Sequence, residues 1–265
     1  MSKKTASSPK PCRAPFDGMV IHFSGAVFPC DQLSQDYIQK NMQIGNIHDT
    51  SLRDIFYTGE EIQSIRRRLL NGETKELLCH TCDKAHTCNL YGDPNTGEEG
   101  GLLHGGAELE VSYNNPKISR LELAITDLCN MKCTMCSLSR GEASPSYTPK
   151  NGFMELQTIK NIIDQTVEIS NSPTILLTLH WIGEPLIHPN IVDILDYISR
   201  YPVLKLHLVT NGIALRPKIV DILMKMKGTL NVSLNARYPT TFAFVNQSSR
   251  YDEVHKNLFS FLEKR

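Results

Sequence analysis

Three cysteines, Cys129, Cys133 and Cys136, lie within eight residues near the middle of the chain. Their C-x3-C-x2-C spacing is typical of a short loop that holds one metal centre. Three thiolates are one ligand fewer than a closed structural zinc site or an ordinary four-cysteine iron–sulfur cluster requires. The open position leaves room for a ligand that is not part of the protein. A zinc loop completed by a distant histidine is the alternative interpretation.

Five further cysteines precede residue 92, as a widely spaced pair followed by C-x2-C-x5-C: Cys12, Cys30, Cys79, Cys82 and Cys88. Residues 19–23 and 26–28 predict two short strands around Ser24-Gly25, a hairpin that we expect to bring the widely spaced pair together. A zinc ribbon is one interpretation of this cysteine pattern.

Bulk properties indicate a cytoplasmic protein. The first ten residues are polar and lysine-bearing, which is unlike a secretory signal or an anchor, and apolar runs such as 174–179 are too short for a membrane span. Lys+Arg 28 balances Asp+Glu 28, so we expect neither nucleic acid nor membrane as a partner. In a reducing compartment, eight cysteines with six in two tight clusters favour metal ligands over disulfides.

The elements that must position the central cysteines follow an alternating pattern from residue 118 onward. Apolar periodicity predicts strands at 118–125, 174–180, 205–210 and 229–234, and helices at 156–167, 191–198, 219–226 and 251–262. Repeated βα units imply a parallel sheet, in which ligands gather at the carboxyl ends of the strands.

Polar or glycine-containing segments stand at those strand ends: the cysteine loop, then Gly183-Glu184-Pro185, then Thr210-Asn211-Gly212, and Ser233 in the last strand. This succession, over residues 118–240, resembles the radical SAM enzymes. His180 and His188 flank the second segment and are candidates for acid–base chemistry.

The resemblance implies a partial (β/α) barrel in which the three central cysteines hold a [4Fe-4S] cluster, with one iron free for S-adenosylmethionine. By the same resemblance, Glu184 in the Gly183-Glu184-Pro185 turn binds the methionine amino group of that molecule. Thr210, Asn211 and Ser233 lie near its ribose and carboxylate. The sequence departs from the family pattern at two positions, with Ile182 in place of a glycine and Met135 in place of an aromatic residue. Met135 is flexible enough to cover an adenine face.

A second resemblance covers most of residues 11–91. Cys12 after Pro11, Gly25-x4-Cys30, the segments 44–47 and 51–56, and Cys79-x2-Cys82 resemble a SPASM domain, the auxiliary iron–sulfur module of many radical SAM enzymes. A full SPASM domain holds two clusters and has more cysteines than this chain. Five cysteines support one auxiliary [4Fe-4S] cluster, with expected ligands Cys12, Cys30, Cys79 and Cys82. Cys88 is a spare or alternative ligand, and Gly92 stands where a further cysteine is expected.

We therefore predict a small irregular α+β iron–sulfur domain over 1–91, a glycine-rich linker over 92–116, and a radical SAM core over 117–265. The order is inverted relative to the family, and the pattern ends after the fourth βα unit, short of a full barrel. The resemblance implies a 5′-deoxyadenosyl radical, a peptide or protein substrate, and a reductase, flavodoxin or ferredoxin as electron donor. Alternatives are a small-molecule substrate such as a sugar, or a non-catalytic iron–sulfur or zinc protein.

Overall fold

The structure is a computed structural model that describes residues 12–30, 42–73, 77, 114–140, 152–181 and 183–265. The described strands are β1 (Gly18–Ile21), β2 (Ala26–Phe28), β3 (Gly45–Asn46), β4 (Arg120–Leu123), β5 (Ile175–Thr178), β6 (Leu204–Thr210) and β7 (Gly228–Val232). The α-helices are α1 (Ala14–Asp17), α2 (Glu60–Leu70), α3 (Leu156–Ile169), α4 (Ile191–Ser199), α5 (Pro217–Leu223), α6 (Pro239–Asn246) and α7 (Tyr251–Lys264).

All described strands belong to one sheet, in the order β3-β2-β1-β4-β5-β6-β7. β1, β4, β5, β6 and β7 are mutually parallel, whereas β2 and β3 are antiparallel to their neighbours. The predicted hairpin is confirmed by the β1–β2 pairing, and its turn contains Gly25 with a φ of 87°. Strands β4 to β7, with their connecting helices, form the predicted partial (β/α) barrel.

One face of the sheet carries the main hydrophobic core. Along β6, Leu204, Leu206 and Leu208 are buried and alternate with half-buried residues, as expected for a strand with two different faces. Helices α2, α3, α4 and α5 cover the buried face with isoleucine and leucine, and each fully buried side chain contributes roughly 1.5–3 kcal/mol. The opposite face of β4 to β7 carries polar side chains that include Glu122, Thr178 and His207, together with Leu176 and Val209.

The N-terminal region shares the sheet with the C-terminal half, because β1 pairs with β4 through the register Val20↔Glu122. A buried ion pair joins Asp17, the last residue of α1, to Arg120 of β4, and Arg120 Nε donates to Asp17 Oδ1 at 2.9 Å. Strands from both predicted domains thus lie in one sheet. The boundaries at 91 and 116 stay a prediction, since much of 92–116 lies outside the described residues.

Within the described segments, no helix is both long and apolar enough to cross a membrane.

Candidate functional site

The cysteine loop follows β4, and a hydrogen bond directly before Cys129 fixes where the loop starts. Thr126 is buried, and its Oγ1 accepts a hydrogen bond from the Leu128 amide at 3.1 Å. Inside the loop, Met131 is buried among Ile213 and apolar residues of α6 and α7. Met131 therefore anchors the loop to the ends of the neighbouring elements, while the cysteines on either side of it stay at or near the surface.

Gly183 brings the turn after β5 into direct contact with the start of the loop. Its φ is 86°, and a Cβ placed there would lie 2.6 Å from the Thr126 carbonyl oxygen and 2.9 Å from that of Leu128. Both the backbone conformation and the close approach require glycine. The next residue, Glu184, donates its amide to the Leu128 oxygen at 2.7 Å.

The Glu184 carboxylate is buried and joins the turn to the end of β6. Its Oε1 accepts from the Thr210 hydroxyl at 2.7 Å and from the Leu186 amide at 3.0 Å, and its Oε2 accepts from the Asn211 amide at 2.6 Å. Burial raises the pKa of Glu184, and these three hydrogen bonds oppose that shift. A buried carboxylate in such a position is complementary to a cationic group such as an ammonium.

Asn211 completes the connection back to the cysteines. Its Nδ2 donates to Asn130 Oδ1 at 2.7 Å and lies 3.8 Å from the Cys129 sulfur, while its Oδ1 accepts from the Ile213 amide at 3.0 Å. Ser233 directly follows β7 rather than lying within it, and its amide donates to the Thr210 oxygen at 2.8 Å. The ends of β4, β5, β6 and β7 thus meet at one edge of the sheet.

The thiols of the loop influence one another. Burial raises the pKa of Cys129, and the nearby charges of Glu184 and Cys133 raise it further, although Cys129 as a residue is exposed. Burial and then the charge of Cys136 raise the pKa of Cys133. Thiols ligate metal as thiolates, so this set favours a ligand that supplies positive charge.

These donors fit an iron–sulfur cluster held by three cysteines. The fit rests on three thiols on one loop, mutually repelling as thiolates, beside a buried carboxylate. Among the described residues, no three His, Cys, Asp or Glu side chains surround a position for a single metal ion. A cluster does not require such convergence, because each cysteine binds a different iron.

The other residues predicted for the sites lie on the cysteine loop, at the turn after β5, near β1 and β2, or outside the described residues. Met135 is half exposed on the cysteine loop, and Pro185 is buried at the start of a 3-10 turn. Cys12 and Cys30 are half-buried near β1 and β2, whereas Cys79, Cys82 and Cys88 lie outside the described residues. The ligands of the auxiliary cluster, and the contacts predicted for S-adenosylmethionine, stay predictions.

His188 is held by backbone groups at both of its ring nitrogens. Its Nδ1 accepts from the Asn190 amide at 3.1 Å, which leaves Nε2 to donate to the Met154 carbonyl oxygen at 2.8 Å. Both ring nitrogens are therefore engaged by backbone groups, and the geometry assigns this histidine to holding the turn together.

Two asparagines near the cysteines were not predicted from the sequence. Asn130 accepts from Asn211, and Asn246, at the end of α6, accepts from the Cys133 sulfur at 3.3 Å. Asn130 could have been found from its place next to Cys129. Asn246 follows Cys133 by 113 positions and carries no signal in the sequence.

Comparisons with known proteins agree with this geometry. Residues 123–263 match the family model of the Radical SAM superfamily, and residues 12–83 match SPASM, an iron–sulfur cluster-binding domain. The chain belongs to the Radical SAM superfamily. The first match implies a [4Fe-4S] cluster and S-adenosylmethionine as cofactors, as predicted. The second implies auxiliary iron–sulfur clusters, of which the sequence predicts one.

The chain is similar to several curated proteins. GTP 3′,8-cyclase of Desulforamulus reducens is 25% identical over 154 residues, which cover 58% of this chain and 45% of that protein. GTP 3′,8-cyclase of Paenarthrobacter nicotinovorans is 29% identical over 135 residues, covering 51% and 36%. Human Molybdenum cofactor biosynthesis protein 1 is 27% identical over 146 residues, covering 55% and 22%. The chain therefore spans less than half the length of these relatives.

Two solved structures are also similar. Streptococcus suis SuiB bound to S-adenosylmethionine aligns with 20% identity and a TM-score of 0.44, covering 55% of this chain and 31% of SuiB. BtrN in complex with AdoMet and 2-DOIA aligns with 22% identity and a TM-score of 0.36, covering 43% and 44%.

Proposed function

We propose that the chain is the catalytic part of a radical SAM enzyme that forms a 5′-deoxyadenosyl radical from S-adenosylmethionine. The observation that carries this proposal is the Glu184 carboxylate, which is buried beside the cysteine loop and hydrogen-bonded to the end of β6. A cluster held by the three cysteines would supply the one electron that cleaves the bond between sulfur and C5′ of S-adenosylmethionine, which would give methionine and the 5′-deoxyadenosyl radical that takes a hydrogen atom from a substrate.

Each residue of the site has a distinct task in this proposal. Cys129, Cys133 and Cys136 hold the cluster, and Glu184 accepts the ammonium group of S-adenosylmethionine. Gly183 and Pro185 shape the turn that carries Glu184. Thr210 and Asn211 hold that carboxylate in place from β6, and Ser233 and Met135 lie where they can contact the rest of the cofactor.

The polar face of the sheet, which we define by Glu122, Thr178, His180, His207 and Thr229, is the proposed substrate surface. The register places Glu122, Thr178, His207 and Thr229 in one row across β4 to β7. His207 Nδ1 lies 2.6 Å from the Thr229 hydroxyl oxygen. His180 lies beyond Thr178 on the same side, toward the cysteine loop.

Two buried polar atoms beside this face have no hydrogen-bond partner among the described residues. His180 Nδ1 and Trp181 Nε1 are buried, and neither makes a hydrogen bond within the described parts of the chain. Burial lowers the pKa of His180 to about 4 and also lowers that of His207. Neutral imidazoles offer one donor and one acceptor, which suits the amides of a peptide.

These features support a peptide or protein substrate. A triphosphate is normally bound by several arginines or lysines. On this side of β4 and β6 the basic residues are Arg120, whose charge is neutralised by Asp17, and Lys205, which are fewer than such a ligand requires. The second candidate is a nucleotide or other small molecule, and the similarity to proteins named GTP 3′,8-cyclase favours it. We propose a reductase, flavodoxin or ferredoxin as the electron donor.

Anaerobic reconstitution with iron and sulfide, followed by dithionite, tests the activity. We expect 5′-deoxyadenosine to form, and we expect it to fall to background in Cys133→Ala. Ser137→Ala is the matched control, because it changes the same loop without removing a sulfur. About four irons per chain indicate one cluster and about eight indicate two. Bound zinc without iron, or equal product from Cys133→Ala, would contradict the proposal.

The substrate class is tested separately with GTP. If the peptide proposal is correct, GTP neither alters Trp181 fluorescence nor accelerates 5′-deoxyadenosine formation. A GTP-dependent acceleration that disappears in His180→Ala would establish the nucleotide alternative instead.

A further inference from the structure

Asn246 is a fully buried polar residue at the carboxyl end of α6, with a relative exposure of 0%. Its Oδ1 accepts from the Cys133 sulfur at 3.3 Å and from Asn235 Nδ2 at 2.9 Å, and its Nδ2 donates to the Leu234 carbonyl oxygen at 3.3 Å. One side chain thus joins the cysteine loop to the segment that follows β7.

The orientation of this amide is fixed by its partners. The Leu234 carbonyl oxygen only accepts hydrogen bonds, so the amide nitrogen of Asn246 must face it and the oxygen must face Cys133. Asn235 reaches Asn246 from a left-handed backbone conformation with a φ of 59°, which asparagine tolerates better than most residues. The contact with the sulfur is therefore a consequence of how the end of β7 is built.

The backbone beside Asn246 holds the adjacent residue of the loop. The Thr134 amide and the Thr134 hydroxyl both donate to the Val245 carbonyl oxygen, at 2.8 Å and 3.2 Å. Consecutive loop residues, Cys133 and Thr134, are thus docked on consecutive residues at the end of α6. Cys129 and Cys136 make no such hydrogen bond to α6 in the described part of the chain.

We propose that Asn246 is a positioning residue that sets the direction of the Cys133 side chain before the cluster assembles. The proposal rests on the proposed function only in treating Cys133 as a cluster ligand. Without the Asn246 amide, the sulfur loses its hydrogen bond and can occupy the other staggered rotamers about the Cα–Cβ bond, so Cys133 is no longer held in one direction.

The metal-free, reduced chain provides the first test. Alkylation by iodoacetamide is followed at each cysteine by peptide mass mapping in the wild type and in Asn246→Ala. We expect the rate at Cys133 to rise about fivefold, as for the loss of one neutral hydrogen bond, while Cys129 and Cys136 keep their wild-type rates. An unchanged rate at Cys133, or an equal rise at all three cysteines, would overturn the proposal.

Asn257→Ala is the matched control. Asn257 Nδ2 donates to the carbonyl oxygens of Gly212 and Ile213, at 3.0 Å and 2.9 Å, so it also ties a helix to a strand-end segment. It does not contact a sulfur, and we expect its removal to leave the Cys133 rate unchanged. A rise at Cys133 in this control equal to that in Asn246→Ala would show general loosening and so refute a specific role.

If Asn246→Ala does not fold, Asn235→Gly provides an alternative test of the same proposal. Asn235 is exposed, and glycine accepts its positive φ, so this change removes one of the two donors to the Asn246 oxygen and leaves the other, Cys133, in place. We expect a smaller rise in the same direction at Cys133, and no rise would count against the proposal.

The reconstituted protein gives a second readout. We expect Asn246→Ala to take up iron and sulfide more slowly than Asn257→Ala does, because its Cys133 thiol is no longer oriented before the cluster assembles. If the wild type takes up no iron at all, the proposed function fails, whereas the alkylation result still decides the role of Asn246.

Discussion

Replacing His22 by phenylalanine should remove a defined part of the acid sensitivity of the fold. His22 follows β1 directly, is 6% exposed, and packs edge-on against Trp181 with ring centroids 5.6 Å apart. Its Nδ1 lies 2.8 Å from the Ser24 hydroxyl oxygen. Burial lowers the pKa of His22 from 6.5 to about 4, because a charged imidazole is poorly solvated there.

The loss of stability can be calculated from the difference between the pKa of His22 in the unfolded and the folded chain. A pKa of 6.5 in the unfolded chain and about 4 in the folded chain corresponds to about 3 kcal/mol. Since the folded-state pKa is depressed, the stabilisation is present above pH 6.5 and is lost as the pH falls toward 4. His180, whose pKa burial also lowers to about 4, adds a similar loss over the same window.

Urea unfolding of the metal-free, reduced chain between pH 4 and pH 7.5 measures this loss. Trp181 is the only tryptophan, so its fluorescence reports on the neighbourhood of His22, and circular dichroism follows the whole fold. We expect the free energy of unfolding of His22→Phe to fall about 3 kcal/mol less than that of the wild type. The exposed His48→Asn is the control. The reasoning is refuted if His22→Phe and the wild type lose stability equally between pH 6.5 and pH 4.

Two further substitutions test the turn that carries the carboxylate. Glu184→Ala leaves the Thr210 hydroxyl and the Asn211 amide buried without their acceptor, and should lower the free energy of unfolding by about 3 kcal/mol in urea; an unchanged midpoint would exclude a structural role. Gly183→Ala adds a Cβ 2.6 Å from a carbonyl oxygen, so it should cost about 2 kcal/mol more in thermal unfolding than Gly72→Ala, whose Cβ would meet nothing within 4 Å. Equal losses would show that only the positive φ matters.

The regular part of the fold could be predicted because its signal is local. Ile191, Ile194, Leu195 and Ile198 recur at helical spacing, and all four are buried against the sheet. Alternating βα units then imply parallel strands, and parallel strands bring their carboxyl ends to one edge. This is why Glu184 and Thr210, far apart in sequence, could be assigned to one site before their hydrogen bond was seen.

The position of the N-terminal strands could not be predicted in this way. β1 has four residues, and a strand of that length carries no information on which neighbour it will pair with. The ion pair between Asp17, directly before β1, and Arg120 of β4 bridges 103 positions in the sequence. The contact between Asn246 and Cys133 could not be predicted either, because nothing in the sequence distinguishes an asparagine that is buried at a helix end from any other asparagine.

The charges at the strand ends bear on which ligand groups can lie there. The Glu184 carboxylate and the three cysteines bring acidic groups together, and the pKa values of Glu184, Cys129 and Cys133 are all raised. Iron and the ammonium group of S-adenosylmethionine would each supply the positive charge that these groups lack. An anionic group at the same edge, such as the carboxylate of that molecule, would have to be offset by the same positive charges. Under the proposed function, we therefore expect an uncharged peptide segment to approach this edge more readily than a substrate whose phosphates add further negative charge.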